Sequence, residues 1–140
     1  MRIAQALVDD MVAHSLADAP DECCGMLGVK DGEARSLHRV TNGAHSPLRY
    51  VMDPQEQYQA QTAIEDAGEE LGLIYHSHTR SAPEPSQTDV NMAFYPETDL
   101  LLYPEALYVI VGVADEDAPL VRTWRIAADR SVTEVPLEVV

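Results

Sequence analysis

Residues 71–89 read Leu71-Gly72-Leu73-Ile74-Tyr75-His76-Ser77-His78-Thr79-Arg80-Ser81-Ala82-Pro83-Glu84-Pro85-Ser86-Gln87-Thr88-Asp89. Leu71–Ser77 is a short apolar, β-rich run, and the spacing predicts a strand. Pro83 and Pro85 then stiffen a loop. Ser86-Gln87-Thr88-Asp89 has the pattern of a capping box, so a short helix should open there and run to about Phe94. Side chains alternate along a strand, so His76 and His78 project from one face, separated by roughly 6–7 Å of rise. Two imidazoles so placed can fill two corners of a tetrahedral Zn²⁺ site at roughly 2.0–2.1 Å. Asp89, in the first turn of the helix, could supply a third ligand. Three protein ligands leave one position for water, the layout of a catalytic rather than a closed structural site. Taken singly, His-x-His also fits a satisfied or solvent-edge pair, and Ser86 with Asp89 fits a plain helix cap.

Outward from this stretch, Ile3, Leu7, Val8, Met11 and Val12 recur at helical spacing and predict an amphipathic helix over residues 2–17, stopping before Ala19-Pro20. Asp31-Gly32 between apolar runs predicts a hairpin with strands 23–30 and 33–41. Asp53 as N-cap, Pro54 at the first helical position and Glu56 completing a capping box predict a second helix to about Asp66, ending at Gly68. Tyr95–Glu105 reads as loop. Leu107–Val113, Val121–Ile126 and Val132–Val139 are β-rich runs parted by turn residues. The order α, β, β, α, β, α, β, β, β predicts an α+β (mixed α/β) fold with a central, mostly antiparallel sheet flanked by helices, in one domain spanning residues 1–140.

The chain has 140 residues, of which 46% are hydrophobic and 24% charged, an ordinary globular composition. A chain this long can bury roughly two-thirds of its unfolded surface, so it folds without disulfides. Nine Lys+Arg face 24 Asp+Glu, a formal net charge of −15. Such a surface repels phosphate backbones and anionic lipid, so neither nucleic acid nor membrane is an expected partner. Lys30 is the single lysine. An acidic, lysine-poor surface suits concentrated salt, where screening mutes self-repulsion. The N-terminal apolar stretch is interrupted by Asp9 and Asp10, and Leu107–Ala114 falls far short of a bilayer span, so a cytoplasmic location is expected. Cys23 and Cys24 are adjacent and read as buried small hydrophobes. His14, His38 and His45 have no partner at ligand spacing and read as surface or cap residues. Trp124 reads as core.

His76-Ser77-His78, seven residues, Ser86, two residues and Asp89 resemble the H-S/T-H-x7-S-x2-D signature of the JAMM (MPN+) metalloproteases, and Pro20-Asp21-Glu22-Cys23-Cys24-Gly25-Met26-Leu27-Gly28 resembles that family's glutamate-bearing first-strand segment. The likeness covers essentially the whole chain. It is nearest to the small bacterial CysO–cysteine peptidase branch, with Ser46-Pro47, Arg49-Tyr50 and Asp53-Pro54 in similar places. The resemblance implies a JAMM/cytidine-deaminase-like fold in which His76, His78 and Asp89 bind Zn²⁺. It makes Glu22 the base that holds a water, accepts its proton and passes it to the leaving amine. Ser86 would donate a hydrogen bond to the developing oxyanion. Ser77, on the opposite face of the strand, reads as structural.

The implied activity is hydrolysis of the peptide or isopeptide bond after the C-terminal Gly of a ubiquitin-like sulfur carrier ending in Gly-Gly, releasing cysteine for cysteine biosynthesis. An extended tail could add as a strand beside the sheet, and a narrow channel would favour residues without side chains. A general deconjugating or processing isopeptidase is the alternative within the family. A non-haem iron enzyme is disfavoured, because the first pair here is His-x-His rather than His-x-carboxylate. A non-catalytic MPN module is disfavoured because all five signature residues are present.

Overall fold

The computed structural model describes residues 1–140. In chain order the elements are β1 (Arg2–Ile3), α1 (Gln5–Asp18), β2 (Cys24–Lys30), β3 (Glu33–Val40), α2 (Pro54–Asp66), β4 (Glu70–His78), α3 (Gln87–Met92), β5 (Leu107–Gly112), β6 (Leu120–Ile126), β7 (Val132–Val135) and β8 (Glu138–Val139). The hairpin forms because Asp31 and Gly32 both take positive φ, at 53° and 73°, the backbone a two-residue turn between right-twisting strands requires. In α2 the Asp53 side chain accepts the Glu56 N–H at 3.0 Å, and Gly68 at φ 73° follows its end. Glu56 does not close a capping box as the sequence predicts. Its carboxylate instead accepts the Thr41 N–H and hydroxyl at 3.1 and 3.0 Å, tying α2 to the end of β3.

The strands make one sheet in the order β7-β6-β5-β4-β2-β3-β1-β8. Pairings β2–β3, β2–β4, β5–β6 and β6–β7 are antiparallel, and β4–β5, β1–β3 and β1–β8 are parallel. Laid flat, seven inter-strand steps would separate β7 from β8 by roughly 34 Å. Pro136 and Leu137 alone join them, a reach of roughly 11 Å from Val135 to Glu138. The sheet is therefore curled until its two edges approach each other. Val135 and Leu137 pack against the cluster that holds Val8 and Met11 of α1, so the curl closes on the α1 side.

Two differences from the sequence reading share a cause. Arg2–Ile3 is a strand rather than a helical turn, and Val132–Val139 is two strands, not one. Each short strand has its partners far along the chain, Arg2 beside Glu33 and Glu138, and no local period reports them. Pro136 lacks an N–H for the ladder and marks the break. The third helix ends at Met92, short of Phe94, which makes an isolated bridge to Leu101.

Alternation along β4 sorts its side chains into two cores. Leu73 and Tyr75 face the α1 side, with Leu27, Val109 and Val111. Ile74 faces the α2 and α3 side, with Met26, Ile64, Val90 and Phe94. His76 and His78 lie in phase with Ile74, so they open toward α3. Gly25 of β2 sits across from Tyr75, and a Cβ there would run into the Tyr75 ring. That ring is anchored from behind: Tyr75 Oη lies 2.7 Å from His14 Nδ1, and His14 Nε2 lies 3.2 Å from Asp18. His14 is thus a buried core residue, a correction to the surface or cap role expected of it.

Candidate active site

The side chains of His76, His78 and Asp89 converge on one point. His76 Nε2 and His78 Nε2 are 3.2 Å apart, and Asp89 Oδ2 is 3.2 Å from the first and 3.0 Å from the second. For ligand bonds of roughly 2.0–2.1 Å, the edge of a tetrahedral zinc site is roughly 3.3–3.4 Å. The three atoms are therefore spaced as three corners of such a site, and all three residues are buried.

The surroundings fix the direction of each ligand. His78 Nδ1 lies 2.7 Å from the Ala82 carbonyl, so it donates there and leaves Nε2 for the site. His76 Nδ1 is buried without a hydrogen-bond partner. Its ring is held by stacking instead: the Tyr50 ring lies 4.6 Å away, centroid to centroid, at 27°. Asp89 Oδ2 accepts the Ser86 N–H at 2.9 Å, while Ser86 Oγ accepts the Asp89 N–H at 3.0 Å. This reciprocal cap locks the carboxylate rotamer.

Burial works to raise the Asp89 pKa, but hydrogen bonds to His76, His78 and Ser86 outweigh it and hold the carboxyl well below its usual range. Burial pushes His76 down. It opposes the charged form of His78 too, yet the Asp89 carboxylate and the Ala82 carbonyl prevail and raise that pKa. The group is thus a carboxylate with two imidazole nitrogens aimed at a shared centre, a donor set that a borderline-soft divalent cation satisfies.

Glu22 arrives from the other side of the sheet pairing. Cys24 stands across from His76, and the next pair is held by Ser77 N–H to Cys23 O at 3.1 Å and Cys23 N–H to Ser77 Oγ at 2.8 Å. Continuing this register by one residue sets Glu22 opposite His78, on the ligand face. Glu22 is buried, and its Oε1 has no hydrogen-bond partner. Burial, with the nearby Asp89 charge, pushes its carboxyl up to about 8, against the opposing pull of His78. A cation beside it would reverse that shift by favouring the ionised form. Ser86 is exposed at the mouth of the site, and its hydroxyl acts only as an acceptor within the chain, leaving its proton free.

Two contributors are absent from the sequence reading of the site. Ser77, read there as merely structural, is fully buried and fixes the Cys23 peptide next to Glu22. A hydroxyl inside an apolar strand, which must find a partner, was the available signal. Asn42, which no motif in the sequence marks, is buried and donates to the Glu22 carbonyl at 2.9 Å. Cys23 and Cys24 are both buried free thiols, and Trp124 is buried.

The loop after His78 is pinned at several points. Thr79 Oγ1 donates to Pro20 O at 2.7 Å, Trp124 Nε1 to Pro83 O at 2.9 Å, and Arg122 to Glu84 at 2.9 Å. Beside the ligand cluster, Ile74 and Tyr50 open into an apolar pocket of about 200 Å³, closed by Met52, Met92, Tyr103 and Tyr108. Strand β4 is flanked by β2 and β5, and the free sheet edges belong to β7 and β8. The backbone beside His76 and His78 within β4 is thus already paired on both sides.

The profile described as prokaryotic homologs of the JAB domain matches residues 4–127. The chain belongs to this JAB family. A CysO-cysteine peptidase of Mycobacterium tuberculosis is 41% identical over 136 residues, 96% of this chain and 87% of that relative. A desampylase of Haloferax volcanii is 38% identical over 96 residues, 63% of this chain and 68% of that relative. A Desulfitobacterium hafniense protein solved in solution superposes with a TM-score of 0.83 at 27% identity, covering 99% of this chain and 91% of its own. The JAMM resemblance and the mixed fold read from the sequence thus stand. No helix of this JAB chain is long and apolar enough to cross a membrane.

Proposed function

We propose that this JAB protein is a zinc-dependent metallopeptidase that hydrolyses the bond after the C-terminal Gly of a ubiquitin-like sulfur carrier and releases cysteine. The observation that carries the reading is the convergence of His76, His78 and Asp89 within 3.2 Å of one another, with the unpartnered carboxylate of Glu22 beside them. His76, His78 and Asp89 would hold the ion. A bound Zn²⁺ supplies Lewis acidity, polarising a carbonyl oxygen and bringing the ionisation of water near neutral pH.

The chain's own residues do the rest. Glu22 Oε1, free of any protein donor, accepts a proton from the attacking water as oxygen adds to the Gly carbonyl carbon. Glu22 then returns that proton to the amine nitrogen as the C–N bond breaks, leaving a free amine and a carrier carboxylic acid, which loses water's second proton to solvent. The Ser86 hydroxyl proton is directed at the carbonyl oxygen as charge develops there, while its lone pair stays with the Asp89 N–H. The pocket beneath Tyr50 suits an apolar side chain of the tail upstream of the Gly residues.

The likeness to a CysO-cysteine peptidase supports cysteine as the leaving group, and the likeness to a desampylase supports a lysine side chain as the second reading. The deciding experiment incubates the zinc-loaded chain with a carrier–cysteine adduct and with an isopeptide-linked carrier, following both by intact mass. Release of cysteine with the isopeptide intact is the expected result. Cleavage of the isopeptide alone would overturn it in favour of the second reading, and a chain that binds no zinc or cleaves neither adduct would end the hydrolase reading.

A further inference from the structure

Asn42 is 5% exposed, and all four hydrogen-bonding positions of its amide are filled by backbone. Its Nδ2 donates to the Glu22 carbonyl at 2.9 Å and to the Arg49 carbonyl at 3.1 Å. Its Oδ1 accepts the Ala44 and Val51 N–H groups, each at 3.0 Å. Arg49 and Val51 are the two neighbours of Tyr50, so one amide grips the chain on both sides of the ring that stacks on His76. On its other side the same amide grips Glu22.

The 43–51 segment completes the hold from its own end. The Glu22 N–H donates to the Ser46 carbonyl at 2.9 Å, so both faces of the Glu22 backbone are tied to this segment. The segment is closed at its base by the Asn42–Met52 bridge, with Gly43 N–H to Val51 O at 2.7 Å and Asp53 N–H to Thr41 O at 3.0 Å. Tyr50 in turn restrains the orientation of the His76 ring by stacking, since His76 Nδ1 has no acceptor of its own. We infer that Asn42 is the positioning residue of this site, a single amide that sets the Glu22 carboxylate and the Tyr50–His76 stack in a fixed relation to each other. The inference rests on the proposed function only in taking Glu22 as the base. Asn42 touches none of His78, Asp89 or Ser86, so its effect separates from loss of the ligand set.

The test compares wild type, Asn42→Ala and Asn42→Asp as zinc-loaded full chains. Four quantities are read: zinc content, amide exchange at Ala44 and Val51, the ring ¹⁵N signals of His76 and His78, and kcat with KM on the carrier–cysteine adduct. Asn42→Ala should speed exchange at Ala44 and Val51 at least tenfold and move the His76 signals while those of His78 stay. It should keep one zinc per chain and lower kcat about tenfold to a hundredfold with KM changed less than threefold. Asn42→Asp keeps both acceptor roles and loses both donor roles, so exchange should remain slow while kcat falls as in the alanine variant. It also carries the test if Asn42→Ala fails to fold. An unchanged kcat in folded variants, or His76 signals that do not move in Asn42→Ala, would overturn the inference, as would a kcat loss that simply tracks lost zinc. A wild-type chain that cleaves no adduct would sink the proposed function, leaving exchange and the His76 signals to decide the clamp.

Discussion

Replacing Glu22 by Gln should stabilise the metal-free chain at alkaline pH and leave it little changed at pH 5. The carboxyl is displaced from its ordinary 4.5 to about 8, chiefly by burial, so the folded state resists ionising it while the unfolded state does not. The sign follows from proton binding. Between these two values the folded chain holds more protons than the unfolded chain, so this group's stabilisation is complete below pH 4.5 and is lost as the pH rises toward 8. At 1.36 kcal/mol per unit the displacement corresponds to at most about 5 kcal/mol. Relaxation of the surroundings around the ionised carboxylate brings the expected loss to about 2–3 kcal/mol. Gln keeps the shape and cannot ionise. Denaturant unfolding with a chelator present, at pH 5 and pH 8.5, measures the difference directly. The gain of Glu22→Gln over wild type should be larger at pH 8.5 by about 2–3 kcal/mol, and zinc, which supplies the missing countercharge, should shrink it. An equal gain at both pH values, or a larger one at pH 5, would refute the placement of Glu22 in a buried site without a hydrogen-bond donor.

Three further outcomes follow from the same geometry. Ser86→Ala should lower kcat by about 10²–10³-fold through loss of a donor to the oxyanion, and stability by about 1 kcal/mol through loss of the α3 cap; a variant as active as wild type in steady-state kinetics removes Ser86 from the reaction. Gly25→Ala drives a methyl into the Tyr75 ring, which His14 holds from behind, and should cost about 2–3 kcal/mol in denaturant unfolding with zinc content intact. With a net charge of −15, the melting temperature should rise between 0.1 M and 1 M KCl as the screening length falls from about 10 Å to about 3 Å; a fall would refute self-repulsion as the dominant surface term.

Much of this cluster is legible in the sequence because its side chains are set by local rules. Strand alternation puts His76 and His78 on one face, and the Ser86-x-x-Asp89 cap orients the third donor within a single turn. The hairpin at Asp31-Gly32 and the start of α2 at Asp53-Pro54 are local in the same sense, with turn and cap chemistry complete within four residues. His14 escaped this reading because its partner, Tyr75, is 61 residues away. Tyr50 is marked in the sequence only as part of the family likeness. Its stack on His76 depends on a loop whose closure, through Asn42 and Ser46, involves residues that look like ordinary turn formers.

The sequence by itself determined both main helices, the central strands and the face that His76 and His78 share, since each of those depends on neighbours within a turn or a few residues of strand, whereas β1 and the division of β7 from β8 depend on distant partners. Only the tertiary structure decided where the Glu22 carboxylate stands. Glu22 faces the ligands because β2 pairs with β4 in a register fixed by Cys23 and Ser77, 54 residues apart. A slip of one residue would have turned Glu22 to the opposite face of the sheet. The curl that brings β8 against β1, and the amide of Asn42 that joins Glu22 to Tyr50, are likewise consequences of packing between distant segments, where pairing energy rather than local periodicity makes the choice.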